Sequence, residues 1–382
     1  MQLCAKLVCA SLLPLAGPAA AKARAPQEDP APTLEPFANV FLDSAWFDGY
    51  GARYGDGEAT VRLAEAGIEF AHEGFHLRVA YDFAGDGEWR DAGVFWKRQG
   101  AYVALGQFKE PASLEKFTFQ EDAQLAEPAG FTSAFALSRR FGVLAGAYDK
   151  AWTLAAGAFS GSLDGVDAQG RGPGQMALTA RATRTGLRDE RRWHAGAYAR
   201  VLDYDGAGYV AASYPGSKLA AKTLYADFTS EVEDGLAERS MLAGFELAWS
   251  RPGFHVQAEA ARQAMAFEAR PDADLWGVTV TASWALTGET RPYIKEKGVF
   301  GALVPARPVH EGGPGALIAT ARVDLTDLRE VGVGRATRYT AGFAWVARER
   351  VRLEAEYTAE RGSGAARGRD SDTMAVRLRL GF

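Results

Sequence analysis

Cysteine is nearly absent from this sequence. The two that occur, Cys4 and Cys9, lie in the first ten of 382 residues. Neither a disulfide framework nor a cysteine-based zinc site organises the fold. Past the N-terminus there is no uncharged apolar run of about 18 residues, which excludes a membrane-spanning helix. Positive charge is not in excess. Lys and Arg number 43 against 48 Asp and Glu, a formal net charge of −5, so the chain has no basic footprint for nucleic acid. Histidine is scarce, at five residues, and neither HExxH nor GxSxG occurs. Gly332-Val333-Gly334 lacks the third glycine and the following helix of a dinucleotide site. Ser250 and His255 straddle a turn and make a poor nucleophile–base pair. No catalytic residue, metal site or cofactor is expected. Disorder is excluded by 47% hydrophobic and 11% aromatic residues.

The N-terminus reads as an export signal over residues 1–23. Lys6 gives a short positive region, Leu7 to Ala16 an apolar core too short to span a bilayer, and Ala21-Lys22-Ala23 a small-x-small cleavage site. Cleavage there removes both cysteines and two lysines, leaving 41 basic against 48 acidic residues, a net charge of −7. Residues 24–36 are Pro-rich and polar and read as an exposed tether.

From residue 37 onward the period is two. Phe75, Leu77, Val79, Tyr81 and Phe83 alternate with His76, Arg78 and Asp82, and Met374, Val376, Leu378, Leu380 and Phe382 with Thr373, Arg377 and Arg379. Such alternation marks strands with one apolar and one polar face. Sixteen segments carry it: 37–46, 59–71, 75–84, 89–98, 101–109, 140–148, 151–160, 175–185, 192–203, 240–250, 254–264, 275–287, 315–325, 337–347, 351–360 and 372–382. Tight turns such as Gln99-Gly100 and Asp149-Lys150 alternate with longer, Gly- and charge-rich loops such as 161–174. One connection, about 288–314, is long where a short turn is expected. An even number of long strands, with short turns at one end and long loops at the other, describes an all-β, transmembrane antiparallel β-barrel of sixteen strands over 37–382, wide enough for an aqueous lumen. A soluble β-sandwich of this size would need two cores in series. Phe141, Trp152, Trp193, Trp249, Trp276, Trp284 and Trp345 are candidates for the aromatic girdles. The short turns should face the periplasm and the long loops the exterior.

Three motifs carry a family resemblance. Gly106-Gln107-Phe108-Lys109-Glu110-Pro111 with Ser113-Leu114-Glu115, Ala136 to Val143, and Ser283 to Glu289 with Arg291 and Tyr293 resemble stretches of the phosphate-selective porins O and P. The terminal Arg379-Leu380-Gly381-Phe382 matches the aromatic C-terminus of outer-membrane barrels. The resemblance implies a homotrimer in Gram-negative outer-membrane lipid, a loop after strand five folded into the lumen, and an anion path lined by arginine and lysine. It also implies phosphate or other small anions and solutes as the transported partners. The chain departs from the family in its short Pro-rich tether, where members often carry a coiled coil. The loop itself, with Glu110, Glu115, Glu121, Asp122 and Glu127, is not net basic.

A passive pore needs no reaction chemistry; its selectivity is the field and width of its narrowest section. Lys109 and Lys116 sit where the chain leaves strand five, and Arg139 and Arg140 where it enters strand six. With the apolar parity facing lipid, Arg78, Arg181, Arg200, Arg322, Arg338, Arg352, Arg377 and Arg379 point inward. Arg53 and Arg62 flank the first long loop. The candidates for the constriction and anion path are therefore Lys109, Lys116, Arg139, Arg140, Arg62, Arg78, Arg181 and Arg338. The same parity sends Asp82, Glu246, Glu259, Asp324, Glu354 and Glu356 inward, so cross-strand pairing competes with ion recognition for every arginine. Arginine outnumbers lysine 33 to 10, which fits bidentate anion recognition and an arginine-rich genome equally. Three readings stay open: an anion-preferring porin, a non-selective or weakly cation-preferring one, and a barrel enzyme or closed binding barrel.

Overall fold

The computed structural model describes residues 31–50, 59–135, 137–165, 175–205, 210–213, 223–227 and 237–382. The signal segment, most of the tether, Arg53 and Ala136 lie outside the described residues. Residues 32–382 form one compact unit. Sixteen antiparallel strands close in sequence order: β1 (Thr33–Gly49), β2 (Ala59–His72), β3 (Phe75–Asp82), β4 (Glu88–Arg98), β5 (Ala101–Lys109), β6 (Arg139–Tyr148), β7 (Trp152–Phe159) and β8 (Met176–Arg188). They continue with β9 (Arg191–Asp203), β10 (Ala237–Arg251), β11 (Phe254–Phe267), β12 (Ala273–Ala285), β13 (Ala316–Leu328), β14 (Gly334–Arg348), β15 (Val351–Ser363) and β16 (Ser371–Gly381). Closure is by β1 on β16, from Asn39 opposite Gly381 to Gly49 opposite Ser371.

Period-two alternation has a physical cause here. Outward residues meet lipid and inward residues meet polar partners. Leu178, Met241, Phe245, Leu247 and Tyr339 are exposed on the outer face, while Arg181, Arg200, Glu246, Arg322 and Arg377 are buried inside. A lysine or arginine facing lipid at mid-depth would cost about 2–4 kcal/mol. Of the girdle candidates, Phe141, Trp152, Trp193, Trp249, Trp284 and Trp345 are exposed on the outer face. Trp276 is half-buried beneath the Arg335 guanidinium, 5.5 Å from its ring.

Three local features depart from simple alternation. First, β1 begins at Thr33, inside the stretch read as tether. Pro36 opposes Ile68 of β2 at a level beyond the end of β16, so β1 is an edge there and tolerates proline. Second, the β3–β4 register slips: Val79 opposes Ala92, yet Tyr81 opposes Trp89. The resulting bulge turns both Arg90 and Asp91 inward. The Gln107 amide donates to the carbonyls of Trp89 (2.8 Å) and Arg90 (3.2 Å), which the bulge frees from the ladder. Third, Gly106 lies across from Gly93 with φ at +142°. A Cβ on Gly106 would stand 2.3 Å from the Ala92 carbonyl oxygen and 2.4 Å from the Gly93 Cα. The Gly-Gln pair of the GQFK motif therefore shapes the wall just before the chain leaves it.

Among the described residues, two connections that leave the wall for the barrel interior build the site. The first, residues 110–138, carries α1 (Leu114–Phe117) and α2 (Gly130–Ala134). The second, residues 286–315, carries a minimal hairpin pairing Tyr293 with Phe300 and Ile294 with Val299. It is the connection whose length broke the turn pattern. Replacing Gly106 with alanine should destabilise the barrel by about 1–3 kcal/mol, since the Cβ meets the β4 backbone and the residue sits at positive φ. The check is the temperature at which folded protein loses its compact gel mobility, expected to fall; an unchanged temperature would show that the wall adjusts freely there.

Candidate functional site in the barrel lumen

The 110–138 loop is held by inward side chains of the far wall. Arg200 of β9 donates to the Phe135 carbonyl (2.7 Å) and Arg322 of β13 to the Glu127 carbonyl (2.7 Å). Arg352 of β15 donates to the carbonyls of Ala123 (3.0 Å) and Gln124 (2.6 Å). Arg377 and Arg379 of β16 donate to the carbonyls of Ala126 and Gln120, both at 2.6 Å. Carboxylates hold the loop amides in turn. Glu259 accepts from Leu114 (3.1 Å) and Glu115 (2.7 Å), Glu356 from Ala126 (2.7 Å), and Asp324 from Gly130 (3.0 Å). Each guanidinium is also paired with acid. Arg377 spans both Asp43 oxygens at 2.6 Å, and Arg379 donates to Glu354 at 2.6 Å. Breaking a buried pair of this kind from one side costs about 3–5 kcal/mol.

The 286–315 connection enters alongside it. Arg181 of β8 donates to the carbonyls of Lys297 (2.6 Å) and Gly298 (2.8 Å) and to Glu246 (2.5 Å). Thr153 donates to the Lys295 carbonyl at 2.6 Å. Phe300 packs edge-on against His255, with ring centroids 4.5 Å apart, and against Tyr293 at 5.0 Å. His194 links the Tyr293 hydroxyl (2.8 Å) to Glu246 (3.0 Å). The two insertions also hold one another. Arg291 donates to the Asp122 carbonyl at 2.6 Å, and the Asp122 carboxylate accepts from the Ala302 amide at 2.9 Å. Ser250 and His255, cross-strand neighbours on β10 and β11, are buried under this packing. His255 Nε2 bonds Gln257 at 3.2 Å, and neither its Nδ1 nor the serine hydroxyl finds a partner.

Space remains on the side of β1–β6. A cavity of about 450 Å³ lies between that wall and the two insertions, bounded by Arg78, Lys97, Lys109, Phe119 and Lys297 among others. This geometry sorts the eight sequence candidates. Arg181, Arg140 and Arg338 are structural. Arg140 is 1% exposed, 3.6 Å from Glu110, and Arg338 donates to Glu360 at 2.7 Å. Lys109 is shared between roles: its ammonium donates to the Thr118 carbonyl, steadying the loop, yet it lines the cavity. Arg78 and Arg139 converge on Asp91, at 3.6 and 2.7 Å. Arg62 stands 3.8 Å from Glu127. Lys116 is half-buried, and its ammonium has no hydrogen bond or ion pair among the described residues.

A sequence model of the phosphate-selective porins O and P matches residues 47–382. The chain belongs to that family. A relative from Caulobacter vibrioides, described as an uncharacterized protein, is 27% identical over 328 residues, 80% of this chain; the chain spans 63% of that relative's length. Among solved structures, OmpT, an outer membrane protein of Vibrio cholerae in trimer form, superposes with a TM-score of 0.58 at 12% identity, covering 92% of this chain and all of the other. An anion-selective porin from Comamonas acidovorans gives 0.58 at 11% identity with the same coverage. OprB of Pseudomonas putida gives 0.56 at 9%, covering 92% and 94%. At such identities these three share the fold. This porin-family barrel is an integral protein of the Gram-negative outer membrane.

Two groups in the porin's lumen were invisible to period-two reading. Arg90 and Asp91 are adjacent in sequence, so strict alternation puts one of them outside; the bulge brings both in. Lys297 lies in the connection without periodicity. Its ammonium stacks on the Phe119 ring, 3.4 Å from the centroid, and makes no ion pair or hydrogen bond among the described residues. The signal that could have located it was the excess length of 288–314 itself.

Burial pushes the Lys116 ammonium down to about 8, helped by the Arg139 guanidinium and opposed by Glu127 and Glu115. Burial likewise brings Lys297 down to about 8, with Asp91 opposing. Both are therefore mainly protonated at neutral pH and lose their charge as pH rises through 8, where an ordinary lysine near 10.4 keeps it. Brief acylation with a small anhydride should label Lys116 and Lys297 with a half-rise near pH 8, followed by peptide mass spectrometry. A half-rise above pH 10 at both would show that neither ammonium is desolvated.

Proposed function

We propose that this barrel is a passive diffusion channel for small hydrophilic solutes, that its solute path follows the β1–β6 wall, and that it favours small anions, phosphate among them. The observation that carries the reading is the distribution of engaged and unengaged cations. Arginines of β8, β9, β13, β15 and β16 spend their donors on inserted carbonyls. Lys116 and Lys297 keep theirs, and Arg62, Arg78 and Arg139 stand beside them on the open side. The chain's overall acidity does not decide the preference. The Debye length is about 8 Å at physiological salt, so exposed loop acids are screened while a few cations in a narrow section act at full strength. Residues 1–23 serve as the export signal in this reading and 24–32 as the tether. Three barrels form the assembly in this reading, as in the trimer form of the Vibrio cholerae OmpT, and a trimer mass is expected for the native particle.

In a planar bilayer under a KCl gradient, Lys116→Glu should lower the anion-to-cation permeability ratio by roughly twofold or more, because it reverses a charge at the narrow section. Lys116→Arg should preserve the ratio. A reversal potential unchanged by Lys116→Glu would contradict the path along β1–β6 and leave a general porin as the better description.

A further inference from the structure

We infer that the lumenal cavity is a saturable binding site for small organic monoanions with an apolar body, of the aromatic carboxylate class, and that it prefers them to inorganic phosphate. The inference rests on the proposed path and names the solute class it selects.

The cavity is unlike a plain anion eyelet because rings share its walls with the charged groups. Phe95 and Phe108 stand 5.7 Å apart on one side, and Phe117 and Phe119 of the loop form the other. Phe119 is the centre of charge as well. Lys297 Nζ lies 3.4 Å from its centroid, Arg78 Cζ 5.4 Å and Lys109 Nζ 5.8 Å. The acids around the cavity are mostly engaged: Glu69 and Asp91 with Arg78 and Arg139, and Glu296 with Lys97 at 2.9 Å. Lys297 is the ammonium whose donors remain free among the described residues. One free ammonium suits one carboxylate. A phosphate dianion surrenders a strong hydration shell on entry and needs many donors in return, whereas Arg78, Lys97 and Lys109 already spend theirs on Glu69, Glu296 and the Thr118 carbonyl. A carboxylate on an aryl body meets Lys297 with its charge and the phenylalanines with its ring, in edge or offset contact. Its apolar surface leaves water at the same step.

Isothermal titration of the detergent-folded full chain with sodium benzoate and with inorganic phosphate, at equal ionic strength, tests this. Benzoate is expected to bind at least roughly tenfold more tightly than phosphate, about 1.4 kcal/mol. Lys297→Gln and Phe119→Ala should each weaken benzoate severalfold, whereas Lys297→Arg should retain it. Each variant is first checked for wild-type heat-modifiable mobility, and Phe119→Leu replaces Phe119→Ala should the latter fail. Phosphate binding as tightly as benzoate, or benzoate affinity indifferent to Lys297→Gln, overturns the inference. Bilayer conductance is read separately. A conducting barrel without benzoate preference refutes the site and keeps the channel, and a non-conducting barrel with the preference does the reverse.

Discussion

An arginine turned into the interior of a β-barrel has no backbone acceptor in its own wall, because the wall's carbonyls are committed to the ladder. It must find carboxylates or carbonyls from elsewhere. Here those carbonyls come from two segments drawn inside. Arg200, Arg322, Arg352, Arg377 and Arg379 take them from residues 120–135, and Arg181 from residues 297 and 298. Carboxylates from the same walls hold the loop amides. The lumen contents and the wall charges therefore satisfy each other. The arrangement also divides labour among the cations. Guanidiniums, with five donors in a fixed fork, suit several carbonyls at once. Among the described residues, the ammonium groups of Lys116 and Lys297 keep their donors free.

From this division follows the asymmetry of the lumen. The inserted segments are tied chiefly to β7–β16, with fewer ties from β2, β4 and β5 through Arg62, Lys97 and Lys109, and the space left lies against β1–β6. The bulge at Arg90 and Asp91 stands on that open side, with Gln107 covering the carbonyls it exposes. Asp91 then gathers Arg78 and Arg139, which orders two cations beside the path without neutralising both. The 286–315 insertion narrows the barrel from the same interior and adds Lys297 and a share of the aromatic lining. On the proposed path a solute meets charge and rings together.

The barrel was legible in the sequence because a bilayer outside and a polar lumen inside impose period two on every strand. All sixteen segments are strands within a few residues of their expected limits. Pro36 marks the sharpest boundary error, since an edge strand accepts the proline that suggested a tether. Site residues were legible only as far as facing. Parity correctly sent Arg181 and Arg338 inward, but facing does not reveal partners. The acceptors of Arg181 in the inserted segment lie 116 and 117 residues away and those of Arg377 in the loop about 250. Those contacts depend on how aperiodic segments fold, which alternation does not encode. Lys116 stood out on its position in the loop, and it is the sequence candidate left without a partner. Lys297 was hidden for the opposite reason, in a connection with no pattern to place it.

The central claim is that solutes pass along β1–β6 because the opposite side of the lumen is filled. Single cysteines, in a background with Cys4 and Cys9 replaced by serine, test it under a small anionic methanethiosulfonate during bilayer recording. Lys297→Cys lines the open cavity; Thr279→Cys lies on the filled side, fully buried. The account predicts a stepwise fall in current with Lys297→Cys and no response with Thr279→Cys. Current loss at Thr279→Cys with Lys297→Cys silent would contradict it.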